Sequence, residues 1–428
     1  MLDSERPFTF YCLHKMKSLY KSISVAGIAL AGVSTSLFGA GYQVVEQGAA
    51  NMGTAFAGAT VNANNDASAA FWNPSTIAFM PLKDGETLVN IGGFIVDPSL
   101  AFSDNGSTVP AGPNYDGQCA VTSKVPNFFV VHKFNENWGA SLSCTAPWGL
   151  ESDYQENWVG RDQALRSFLM TVDINPSVSY KVNEWFSISG GVSAQYSYCT
   201  LTNWFPLTNS RLKLHGDSWS VGGNIGFTVK YAEDGRIGFQ WRSAIDHTLS
   251  GQATLGNSNI ADITADMHMP DTFTIGIYQR LRGDFDMFAV MAEYSYITWS
   301  VFDNLTIKGL SLGGRTITEV ENWVDTSRVS AGIHMYPTED ITLRFGICYD
   351  ECPVPSPQDR TSRIPCADRL WLACGLGYKY ENWTFDISYT YIFVLDNSAI
   401  DRRGLVSNLQ GSYSAHINVF GVQIGYKF

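Results

Sequence analysis

Phe420-Gly421-Val422-Gln423-Ile424-Gly425-Tyr426-Lys427-Phe428 alternates without a break between apolar and small or polar residues. A period of two places the two sets on opposite faces of a strand. The pattern recurs in Trp383-Thr384-Phe385-Asp386-Ile387-Ser388-Tyr389-Thr390-Tyr391. It recurs again where Phe186, Ile188, Val192, Ala194, Tyr196 and Tyr198 interleave with Ser187, Ser189, Gly191, Ser193, Gln195 and Ser197. These runs exceed the usual five or six residues of a soluble strand.

Working outward gives fourteen such runs, at 87–97, 121–134, 137–147, 167–182, 184–203, 210–231, 235–254, 262–281, 286–308, 315–336, 340–351, 366–380, 383–397 and 411–428. An even number lets both ends of a barrel lie on one side of a membrane. Tight connections (Asn135-Glu136, Asn183, Ala232–Gly235, Arg282-Gly283-Asp284, Pro337-Thr338-Glu339, Glu381-Asn382) alternate with long ones at 98–120, 148–166, 352–365 and 396–410. Short periplasmic turns and long outer loops are the signature of a transmembrane barrel. Trp138, Trp185 and Trp383 directly follow short turns, which predicts an aromatic belt at the periplasmic interface. Pro176 predicts a bulge, since proline donates nothing to a ladder. Pro126 and Pro147 predict a disturbed wall near the second and third strands. Gly190-Gly191 and Gly222-Gly223 are read as relieving crowding in a curved wall.

Composition agrees. Hydrophobic residues make up 45% and aromatics 13%, but charged residues only 16%, below the usual quarter. A net charge of -12 argues against nucleic acid as a partner. Residues 1–40 read as a secretory signal peptide: Lys15, Lys17 and Lys21 precede the apolar run Ile23–Leu30, which fades into Gly39-Ala40. Met16 is an alternative start, making what precedes it an extra prefix. A membrane anchor would need ~20 predominantly apolar residues. The chain holds eight cysteines, with Cys12 in the leader, so an odd number remains after cleavage. Cys352 and Cys366 flank one loop and are a candidate disulfide. Cys144, Cys199, Cys348 and Cys374 read as small apolar strand residues. The histidines are scattered, no catalytic or metal-ligating set stands out, and no cofactor is expected.

One segment breaks the alternation. Gly41–Pro81 is small-residue-rich and almost uncharged, and too short to hold a core alone. It is expected to fill the barrel lumen as a plug, with 82–428 forming the wall and the N-terminus periplasmic or luminal. Phe71-Trp72-Asn73-Pro74-Ser75 closes it and supplies the candidate gating residues, proline fixing the turn before the first strand.

This segment resembles the N-terminal hatch of the FadL/TodX (OMPP1) family. The residues that carry the resemblance are Ala40-Gly41-Tyr42-Gln43, Glu46-Gln47, Gly53-Thr54-Ala55-Phe56-Ala57-Gly58-Ala59 and Asp66-Ala67-Ser68. Asn73-Pro74-Ser75 stands where the family usually has Asn-Pro-Ala. Asp350-Glu351-Cys352-Pro353-Val354-Pro355, Arg360, Ile364-Pro365 and Asp368-Arg369-Leu370-Trp371 resemble a late loop and strand of the same family. The resemblance implies an all-β, 14-stranded antiparallel transmembrane β-barrel in a Gram-negative outer membrane, with the hatch in its lumen. It implies passive uptake of long-chain fatty acids or other hydrophobic ligands, not an enzyme. Arg360 and Arg369 are candidates to meet an anionic head group. Phe428, with Tyr426, resembles the terminal signal read by the barrel-assembly machinery. The other expected partners are outer-membrane lipids, with the protein a monomer. A general porin or a structural, adhesive surface barrel remains the alternative.

Overall fold

The computed structural model describes residues 40–108, 116–312, 315–396, 398–404 and 406–428. The leader expected before Ala40, with Met16 and Cys12, lies outside them. All 21 strand segments belong to one antiparallel sheet. Nineteen of them align as fourteen staves: β1 (Thr87–Asp104), β2 (Ser123–Lys133), β3 (Trp138–Thr145, resumed at Gly149–Asp153), β4 (Arg166–Asn183), β5 (Phe186–Phe205), β6 (Ser210–Ala232), β7 (Gly235–Arg242 and Ile245–Leu255), β8 (Ser258–Met269 and Thr272–Arg280), β9 (Phe288–Ile297 and Asn304–Leu312), β10 (Arg315–Val320 and Thr326–Met335), β11 (Ile341–Asp350), β12 (Arg369–Tyr380), β13 (Trp383–Val394) and β14 (Asn408–Lys427); the other two, Gly117–Gln118 and Ser398–Arg403, are short loop strands paired onto β1 and β14. β14 pairs back onto β1 from Leu88↔Lys427 to Asp104↔Gly411, which closes the barrel and leaves no free edge.

The alternation has the polarity a bilayer demands. On β9, Ala289, Met291, Glu293 and Ser295 are buried inward, while Val290, Tyr294 and Tyr296 face out. Across the wall, Ile91, Val192, Ile275, Phe345, Ile387 and Val422 are exposed, and Asn90, Gln195, Arg328, Arg344 and Gln423 are buried. An exposed apolar band around a polar interior is the reverse of a soluble sandwich, and only lipid can cover it. Trp138, Trp185 and Trp383 are all exposed beside their short turns. Phe428 is exposed, and its backbone exchanges hydrogen bonds with Thr87 at the seam. β6 runs for 23 residues, roughly 75 Å at ~3.3 Å per residue, so it projects well beyond the apolar band.

One of the two irregularities expected from proline differs from expectation. Pro176 makes no bulge. Ile174↔Ala194 and Ser177↔Gly191 keep one register on either side of it, and only the pairing of Asn175 and Pro176 with β5 is missing. The true break is in β3. Its ladder with β2 ends at Phe128↔Cys144, and Ala146–Trp148 leave the sheet before β3 resumes against β4. Pro147 therefore marks the disturbed wall, as expected. A tag at Asp234 or Thr338, in short turns, should be hidden from antibody on intact cells, and one near Gln358 accessible. Surface labelling at Asp234 contradicts this orientation.

Candidate functional site

Residues 40–82 thread the lumen and are almost wholly buried. The regular parts are brief: helical turns at Ala49–Met52 and Ala69–Trp72, then a 3₁₀ turn at Pro74–Phe79. Nothing this short is stable alone, so the wall must supply the missing contacts. It does so by close approach. A Cβ on Gly346 would lie 2.1 Å from the Thr54 carbonyl carbon, one on Gly226 would lie 2.2 Å from Asn73 Oδ1, and one on Gly238 would lie 2.4 Å from Thr60 O. These wall glycines form a seat that no other residue leaves open. Ala55 and Phe56 adopt φ of 50° and 65°, the left-handed region, which costs about 1–2 kcal/mol per residue.

The expected gating residues converge on one staple. Asn73 Oδ1 accepts from Ser75 N and Ser75 Oγ, and its Nδ2 donates to Thr60 O (2.9 Å), Phe227 O and Thr228 Oγ1. Pro74 opens the 3₁₀ turn, where its missing N–H costs nothing. Ser75 bonds Thr228 Oγ1 at 2.7 Å, and its carbonyl accepts from Ser187 Oγ. The Arg242 guanidinium stacks 4.0 Å over the Phe71 ring, and Trp72 Nε1 donates to Gln47 O. Asn73→Ala leaves several buried polar groups unpaired, at about 1–3 kcal/mol each. We expect a folded barrel with several-fold lower ligand uptake; undiminished uptake contradicts a gating role for this staple.

At the outer end, Tyr42 is a hub that the strand breaks build. Trp148 comes from the break in β3, Trp299 and Phe302 from that in β9, and Trp323 from that in β10. Their rings stand 6.1, 4.7, 5.3 and 5.6 Å from the Tyr42 ring. Tyr42 also lends its backbone to the displaced part of β3: Gly149 N donates to Tyr42 O, and Val44 N to Pro147 O. The N-terminal segment and the wall break are thus one hydrogen-bonded unit. Glu46 lies in it with neither carboxylate oxygen partnered; burial pushes its carboxyl up to about 7, against the pull of Arg369 and Arg328.

Two cavities adjoin each other, and the inner one meets this hub. The outer, of about 850 Å³, is lined by Trp204, Phe205 and Leu212 together with Arg363, Arg402 and Arg403. The inner, of about 70 Å³, is walled by Leu150, Leu169, Leu249, Met267 and Phe302, and by Tyr42 itself. Leu201, Leu214, Leu305, Ile307, Glu319, Thr361 and Arg363 border both. An apolar chamber with few polar groups is the usual form of a small-molecule site.

The two arginines singled out from the sequence stand away from both cavities, and a third lies between them in the chain. Arg360 ties the loop down, donating to Cys366 O and Ala399 O. Arg369 lies opposite Asp350 in the β11–β12 ladder and reaches Cys366 Sγ. Neither borders the outer or inner cavity. Arg363, three residues beyond Arg360, borders both, held by Glu319, Ser167 and Thr202. An irregular loop has no period, so spacing gave no sign of it. Cys352 and Cys366 are neighbours but both are free thiols here, and Cys366 Sγ accepts from Gly41 N at 3.4 Å. Cys144 and Cys348 are buried, and Cys374 faces outward.

The family model for outer membrane protein transport proteins (OMPP1/FadL/TodX) matches residues 30–428. The "Long-chain fatty acid transport protein" of Escherichia coli O6:H1 is 27% identical over 420 residues, spanning 88% of this chain and 92% of that one. The "Outer membrane protein P1" of Haemophilus influenzae is 24% identical, spanning 96% and 100%. Among solved structures, a Pseudomonas aeruginosa FadL homologue superposes with a TM-score of 0.82 at 23% identity, covering 90% of this chain and 99% of its own. The Ralstonia pickettii toluene transporter TbuX gives 0.60 at 18% identity, covering 83% and 93%.

Proposed function

This chain belongs to the OMPP1/FadL/TodX family of outer-membrane transport proteins, and we propose that it carries long-chain fatty acids, or amphiphiles of similar length, inward without an energy source. The observation that carries the reading is the inner apolar cavity, because Tyr42 of the luminal segment forms part of its wall. We infer three parts: a leader to about residue 40, a hatch at 41–81, and the barrel. A ligand is first held in the outer cavity, where Arg363, Arg402 and Arg403 suit an anionic head group. Its chain then enters the inner cavity, where each buried CH₂ contributes ~0.8 kcal/mol. Ten such groups amount to roughly 8 kcal/mol. Each hatch hydrogen bond nets only about 1 kcal/mol.

The inner cavity is small as it stands, so a chain of this length must displace Tyr42. That movement would pull on Gly149 and Pro147 and loosen the stretch of β3 that has already left β2. The gap offers the ligand a sideways exit into the bilayer. A general porin is disfavoured by the occupied lumen.

Uptake of a labelled long-chain fatty acid by cells lacking their own transporter tests the reading. Tyr42→Ala should reduce uptake about tenfold. Tyr42→Phe, which loses only the bond to His268 O, should retain most of it. No uptake by the unsubstituted protein, or full uptake by Tyr42→Ala, contradicts the reading.

A further inference from the structure

The inner cavity has one polar end, where Glu319, Glu321 and Arg363 meet. Arg363 is already engaged, its Nε with Glu319 at 3.4 Å and its Nη1 with Ser167 Oγ and Thr202 O. Glu321 is not. It sits in the non-strand link between the two parts of β10, with its side chain 3% exposed. Its Oε1 stands 3.7 Å from Arg402 Nη2, a guanidinium that also donates to Asp359 O and Val320 O. Its Oε2 accepts no well-formed hydrogen bond, and the Trp323 indole N–H, itself without an acceptor, lies beside the carboxyl. The other unpartnered polar atom on this wall is His215 Nδ1. A buried carboxyl with one open oxygen, in a leucine-lined chamber, is built to meet something polar that arrives with an apolar tail.

We propose that Glu321 receives the polar end of the ligand as an uncharged carboxyl, so that a carboxylate seats there sharing one proton with Glu321, while an alcohol of equal length needs none. This rests on the transport reading and adds the chemistry of the head group. Two ionised carboxylates in contact inside an apolar chamber repel, and one of them is held protonated. With one proton between them, the contact becomes a charge-assisted O–H···O⁻ hydrogen bond. The groups facing Glu321 are Arg402, Glu319, Arg363, the Trp323 indole and the Tyr42 hydroxyl. Burial pushes the Glu321 carboxyl up to about 8, against the pull of Arg402 and with the added push of Glu319. Below that pH the proton is already in place; above it, a carboxylate must bring one from solvent. Carboxylate affinity should therefore be full near pH 7 and fall toward tenfold per pH unit above 8. Alcohol affinity should stay flat.

The test uses the whole barrel in lipid nanodiscs with two probes, dodecanoate and 1-dodecanol, at pH 7 and pH 9.5. Dodecanoate is ionised throughout this range. Its Kd should rise about tenfold or more, and that of dodecanol should change less than twofold. In E321Q the dodecanoate response should flatten while dodecanol binding persists, which also shows that the variant is folded. Calorimetry of the unsubstituted protein at pH 9, in buffers of different ionisation heat, should give close to one proton taken up per dodecanoate and none per dodecanol. This arm decides the question even where E321Q does not assemble. Parallel pH profiles for the two probes, a dodecanoate response that survives E321Q, or no proton uptake overturns the proposal. Pocket binding of neither probe at any pH overturns the transport reading and the proposal with it.

Discussion

Removal of Gly41–Trp72 is expected to turn a nearly closed barrel into an ion-conducting pore, with conductance at least tenfold higher in planar bilayers. A wall of fourteen strands encloses far more space than its own side chains fill. Its inner face is polar, with Asn90, Asp173, Gln195, Gln240 and Arg328 all turned inward, so water will wet it once the segment is gone. Closure does not depend on that segment, because the β1–β14 seam and every ladder are made by residues after Pro81. The shortened protein should still insert and shift on heating like a folded barrel, and lose selective uptake. Equal conductance before and after the deletion contradicts the plug.

Gly346→Val should reach nearly the same end with one side chain. The new Cβ would fall 2.1 Å from the Thr54 carbonyl carbon and 2.2 Å from its oxygen. Those are backbone atoms, which cannot swing aside as a side-chain tip can. Gly332 and Gly375 flank the site, and a Cβ there would also meet Thr54 or Gly53 within 3 Å. The hatch must therefore lift away from β11. Conductance should rise several-fold and uptake should fall, with assembly intact. Gly190→Ala is the control, since its Cβ would meet only Asn224 O, at 3.8 Å. If Gly346→Val behaves like Gly190→Ala, the glycine seat has no part in holding the plug.

The staves were legible because a lipid-facing wall enforces strict alternation, and all fourteen runs correspond to observed staves. What alternation cannot reveal is where a stave stops. Residues 315–336 read as one run, yet Glu321–Asp325 leave the ladder, and that departure brings Glu321 and Trp323 to the cavity end. The same holds for Trp299 and Phe302 within 286–308. The glycine seat was hidden for a related reason. Period two marks Gly346 as inward-facing but does not say that a backbone presses on it. Gly191, read as relieving crowding in a curved wall, is such a position, since a Cβ there would run into the Ser177 and Asn224 side chains. Asn73-Pro74-Ser75 was readable because capping and turn chemistry are local. Arg363 was not, because only the folded loop decides which of three nearby arginines turns toward the cavities.

The most direct test of the whole account is a crystal structure of the barrel with a long-chain fatty acid bound. We expect the chain between Leu150, Met267 and Phe302, its polar end beside Glu321 and Arg363, Tyr42 displaced from its four aromatic neighbours, and the Gly149–Tyr42 hydrogen bond broken. A ligand that fills the inner cavity with Tyr42 and the Gly41–Pro81 segment unmoved would contradict ligand-driven gating.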